Sequence, residues 1–101
     1  MESERVLQAY NQADLFGLEN RLQQTEEECA ELIQSICKYK RMLQKDKTLR
    51  MPNAVVEYKL AEEIADVELC LIELKYLLQN NKQVEEIIKD KLDRTEKEME
   101  K

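Results

Sequence analysis

The chain reads as an all-α protein, a four-helix bundle-type protomer whose core is completed by oligomerisation. Three observations predict this. Ala, Glu, Lys, Leu and Arg make up 53 of the 101 residues, the composition of long helices and coiled coils. Gly and Pro, the main breakers of regular structure, occur once each, as Gly17 and Pro52. Between them, apolar residues recur at spacings of three and four, which places them along one helical face. A single domain this short buries a modest share of its surface alone, so a homodimer or homotetramer is expected.

The first helix spans about residues 3–16, with Ser3 as its cap and Gly17 ending it. The second spans 18–44, with Leu22, Cys29, Leu32, Ile36 and Leu43 on one stripe and Thr25 and Tyr39 filling its gaps. Pro52 cannot continue a helix and moves Met51 out of the α region, so the chain breaks at about 45–53. The third, 54–79, carries the cleanest seam: Leu60, Ile64, Val67, Leu71, Leu74 and Leu78 alternate spacings of four and three. Asn80-Asn81 makes a short connection, and 82–99 forms a last helix with Val84, Ile87, Ile88 and Leu92 inward. The whole chain is one domain, without solenoid-type repeats or low-complexity linkers.

Composition also excludes functions. Sixteen basic residues against 22 acidic ones leave a net charge of −6, which disfavours nucleic acid or an anionic membrane as partner. No apolar run approaches the ~18 residues of a membrane span, and MESERVLQAY lacks the apolar stretch of a signal peptide. Cys29, Cys37 and Cys70 form no Cys-x-x-Cys pair and lie in apolar helical patterns, so they read as reduced core cysteines of a cytoplasmic protein. The absence of His removes the commonest general base and zinc ligand. Chemistry here has to run on carboxylates, amines, hydroxyls, thiols or a bound metal.

Two motifs stand out. Glu28 and Glu31 on the second helix, and Glu63 and Asp66 on the third, lie three residues apart, so each pair shares about 60° of one helix face. Packing the two stripes together would gather four carboxylates in a half-buried wall, where hard cations such as Mg²⁺ or Mn²⁺ relieve the repulsion. The same spacing also arises by chance among 17 Glu residues, as solvated charge. The second motif is basic: residues 38–50 hold six Lys or Arg and one Asp, so this segment carries +5 and the remainder −11. Cations at a helix C-terminus explain part of it; a polyphosphate, bound by metal and cations together, would explain all of it.

The order of these residues resembles a known family. Gly17-Leu18-Glu19-Asn20-Arg21-Leu22, then Glu27-Glu28-Cys29-Ala30-Glu31-Leu32, a basic loop, Glu62-Glu63-Ile64-Ala65-Asp66-Val67, and finally Lys91-Leu92-Asp93-Arg94 is similar to the MazG-like all-α nucleoside triphosphate pyrophosphohydrolases over residues 15–95. The resemblance implies Mg²⁺ held by Glu28, Glu31, Glu63 and Asp66, with Glu27 assisting; with no His in the chain, a carboxylate not fully occupied by metal, Glu27 or Glu28, is the candidate base. It also implies phosphate contacts from Lys91 and Arg94; Lys47 and Arg50 of the basic loop are further candidate phosphate contacts in this chain. The implied reaction converts an NTP or dNTP and water to the monophosphate and pyrophosphate, a housecleaning step on the nucleotide pool. With 31 residues between Glu31 and Glu63, the basic loop is longer than in many members; with no Trp or His, base stacking falls to Tyr10, Phe16, Tyr39, Tyr58 or Tyr76. The competing reading is a non-enzymatic helical-bundle or coiled-coil interaction protein, motivated by the Leu60–Leu78 seam.

Overall fold

A computed structural model describes residues 1–101 as four helices without a strand: α1 (Ser3–Phe16), α2 (Leu18–Leu43), α3 (Asn53–Leu78) and α4 (Asn81–Met99). Gly17 adopts φ 84°, a value L side chains avoid, and this lets the chain leave α1 and enter α2 with no intervening loop. Ser3 is itself the first helical residue of α1 and caps nothing; Glu2 occupies the cap position and makes no side-chain bond there. Pro52 precedes α3, where its missing N–H costs nothing. The connection before it is organised by Asp46, which accepts from the Arg41 guanidinium at 2.9 Å and from the Thr48 amide at 2.8 Å.

The centre of the molecule is the α2–α3 hairpin, and α1 lies across it. Ala9 and Ala13, one helical turn apart on α1, are buried, and their small side chains let α1 approach closely. Tyr10 stacks on Tyr76 of α3 with ring centroids 4.2 Å apart, and the Tyr76 hydroxyl donates to Asp14 at 2.7 Å. Both contacts fasten α1 to the C-terminal half of α3.

Two expectations are corrected here. The protomer is not a closed four-helix bundle: α4 touches only α3, and none of its residues is buried. The apolar stripes do not meet face to face either. On α3 the buried positions are Val56, Glu63, Cys70 and Glu73, whereas Ile64, Leu71 and Leu78 of the seam are exposed. On α2 they are Thr25 and Ser35, with Leu22, Ile36 and Leu43 exposed. Both helices are turned so that polar and acidic side chains enter the interface, and half of each seam faces outward. Among the cysteines, Cys70 is buried and Cys29 half-buried, but Cys37 is exposed and belongs to no core.

Candidate metal centre

The rotation of α2 and α3 has a chemical result. One carboxylate oxygen from each of Glu28, Glu31 and Glu63 lies within 4.8 Å of the others. Glu63 is buried, Glu28 half-buried and Glu31 exposed, so the group sits at the rim of the helix interface with one side open. Asp66, one turn beyond Glu63, shares a cleft with Glu28. Thus three carboxylates from two helices converge, and Asp66 borders the cleft beside Glu28.

Their titration records the cost. Burial first, then the neighbouring Glu31, Asp66 and Glu28 charges, push the Glu63 carboxyl above its usual value. Glu28 is likewise raised, by burial and by the Asp66 and Glu31 charges, although the Gln24 amide donating at 2.8 Å favours its ionised form. One oxygen of Glu28 and one of Glu63, Oε2 in both cases, is buried without a hydrogen-bond partner. Such orphaned acceptors are destabilising unless a proton or a cation joins them. The donor set is all oxygen, which suits Mg²⁺ or Mn²⁺ rather than zinc or copper. Burial raises the pKa of the Cys70 thiol, and its sulfur is not among the converging ligand atoms.

Beside the carboxylates lies a cleft of about 270 Å³ lined by α1, α2 and α3. Its wall holds Arg21, which pairs with Glu73 at 3.5 Å and sits over the Phe16 ring at 4.3 Å from the centroid. Arg21, Gln24 and Glu73 were not among the expected site residues. Their signal is periodic: Arg21 precedes Glu28 by seven residues, Gln24 precedes it by four, and Glu73 follows Asp66 by seven, so each shares a helix face with a carboxylate of the motif. Of the five aromatic residues, only Phe16 lines the cleft; Tyr10 and Tyr76 are committed to each other and Tyr58 is exposed.

Other expected residues lie apart from this group. Glu27 is exposed and is not one of the converging carboxylates. Lys91 and Arg94 are exposed on α4 and line a shallow groove with Thr95 and Glu98 of the same helix. Lys47 and Arg50 are exposed in the connection before α3, where Arg41 is the cation that the loop engages. Within one chain, none of these four cations forms an ion pair with the acidic group. No family model, curated protein or solved structure matches the chain. No helix is long and apolar enough to cross a membrane.

Proposed function

We propose that the protein is a Mg²⁺-dependent nucleoside triphosphate pyrophosphohydrolase of the MazG-like kind. The observation that carries this reading is the convergence of Glu28, Glu31 and Glu63, with Asp66 in the adjoining cleft, in the motif order E-E-x-x-E and E-x-x-D. The two orphaned buried oxygens fit a hard cation, and Mn²⁺ satisfies the same donors.

When bound, the ion supplies charge neutralisation along the triphosphate and acidifies a water. The chain's own residues do the rest. Glu28, Glu31, Glu63 and Asp66 hold the ion against the α2–α3 interface. A carboxylate oxygen of the group not engaged by the ion would take the proton from the attacking water, and Glu28, which lines the cleft as well as belonging to the converging group, is the candidate. Glu27, exposed and outside the converging group, is the weaker candidate. Phe16 offers an apolar ring for the nucleoside in the cleft, and Arg21 keeps that ring in place. Lys91 and Arg94, with Lys47 and Arg50, are the cations available to the departing pyrophosphate.

Incubation of the purified protein with a panel of NTPs and dNTPs, with and without Mg²⁺, followed by separation of products, tests the proposal. Monophosphate and pyrophosphate formed only with the metal are expected. Diphosphate and inorganic phosphate, or no turnover of any substrate, would refute it and leave the non-enzymatic bundle protein as the better account.

A further inference from the structure

We infer that Glu73 is a specificity-determining residue of the cleft, selecting nucleotides whose base carries an exocyclic amine (cytosine, adenine or guanine) over those of uracil and thymine; this rests on the nucleotide site proposed above. Glu73 follows Asp66 by seven residues on α3, and Arg21 precedes Glu28 by seven on α2. Each is therefore about 10 Å along its helix from the acidic group. Because α2 and α3 form an antiparallel hairpin, the two displacements point the same way, and Arg21 meets Glu73 there at 3.5 Å.

A nucleoside spans a similar distance from phosphate to base. With its phosphates at the acidic group, its base reaches Phe16, Arg21 and Glu73, all of which line the cleft. The Phe16 ring keeps 48% of its exposure, so Arg21 over one face leaves area for a base to stack.

The chemistry of Glu73 then sets which base fits. Its side chain keeps 7% of its accessibility; Oε1 faces Arg21, and Oε2 is buried without a hydrogen-bond partner. An acceptor left in that condition is destabilising, and apolar side chains of similar volume would hold α2 against α3 at least as well as the ion pair does. What the carboxylate adds is an acceptor in the wall of the cleft. The terminal torsion of Glu is broad, so a small turn offers the free oxygen to a ligand while the other stays with Arg21. An ionised carboxylate accepts and never donates. The amines of cytosine, adenine and guanine donate to it, whereas uracil and thymine offer one N–H flanked by two carbonyl oxygens that repel it. The amide of Gln12, also in the cleft wall, both donates and accepts and so suits any base; Glu73 does not.

Calorimetric titration of the full chain in excess Mg²⁺ with the α,β-methylene triphosphates of cytidine, adenosine, guanosine and uridine reads the preference without turnover. At least one amine-bearing analogue should bind about ten- to a hundred-fold more tightly than the uridine one, the worth of a hydrogen bond to a charged group. Glu73→Gln, whose amide also donates, should bring that ratio toward unity. Arg21→Met/Glu73→Leu, which removes the pair and keeps the interface filled, should abolish the ratio even where every affinity drops. Equal or tighter binding of the uridine analogue by wild type, a ratio unchanged in both variants, or no binding of any analogue overturns the inference. Hydrolysis of the parent nucleotides alongside such a result would leave the proposed activity standing. Selective binding without hydrolysis of any parent would support the role of Glu73 and refute the activity instead.

Discussion

Arg21 and Glu73 form the ion pair whose loss should be felt most. Their side chains retain 12% and 7% of their accessibility at a separation of 3.5 Å, which places the pair in the buried class rather than among surface pairs that contribute ~0–1 kcal/mol. At an effective dielectric of about 20, the gross attraction at that distance is about 5 kcal/mol. Arg21→Met removes the cation and leaves Glu73 charged, buried and already short of a partner at Oε2. Breaking one side of a buried pair costs about 3–5 kcal/mol, and the lost contact with Phe16 adds about 0.5 kcal/mol or more. A total of about 3.5–5.5 kcal/mol is a large share of the stability of a chain this small. Urea unfolding followed by circular dichroism, at fixed protein concentration, measures it. The double variant Arg21→Met/Glu73→Leu should recover most of the loss, because it removes the stranded charge and fills its space with apolar atoms. A loss below about 1 kcal/mol in Arg21→Met, or a double variant as unstable as the single, would refute the assignment of this pair as buried and coupled.

Three further outcomes follow from the electrostatics of the carboxylates. Glu63→Gln should raise the melting temperature without metal, since it deletes a buried charge beside Glu28 and Glu31, and should abolish the stabilisation by excess Mg²⁺ expected of wild type; thermal melts with and without the ion check both halves. Because the folded-state pKa values of Glu28 and Glu63 are raised, the folded chain binds protons more tightly than the unfolded one. Their penalty is absent below the ordinary carboxylate range and grows as pH rises through the folded values. The metal-free melting temperature should fall as pH rises above the ordinary carboxylate range, and Mg²⁺ should flatten that slope; a metal-free melt that rises there would contradict the convergence. Asp46 behaves oppositely: the Thr48 hydroxyl and amide, then Arg41, hold it at about 2. Its contribution is present above the ordinary Asp value and disappears as pH falls through 2, so the Thr48 amide resonance should titrate there in wild type and lose that transition in Asp46→Ala.

What could be read before folding, and what could not, divides along a physical line. The helical character of the chain and its breaks at Gly17 and Pro52 are local matters of backbone freedom, and residue types reveal them. The pairing of Glu28 with Glu31 and of Glu63 with Asp66 is equally local, because three residues on a helix always leave side chains as neighbours. Which way each helix turns about its axis is different. The Leu60–Leu78 seam spans two heptad rows; Leu60, Val67 and Leu74 stay at the edge of the α2 contact, and Ile64, Leu71 and Leu78 face away. Periodicity reports that a face is apolar but not which surface will cover it, since an apolar row is equally satisfied by its own chain or by another. The same gap hid Arg21 and Glu73, whose meeting depends on how α2 lies on α3.

The sequence by itself determined an all-helical chain with an acidic pair on each of two helices, because propensity, breakers and the 3.6-residue turn act over a few neighbours. Only the tertiary structure decided that three of those carboxylates converge within 4.8 Å, that Arg21 closes the cleft beside them, and that α4 and half of each seam remain open. Those outcomes depend on the mutual rotation of α2 and α3, a single rigid-body choice that every side chain along both helices biases at once and no local pattern states.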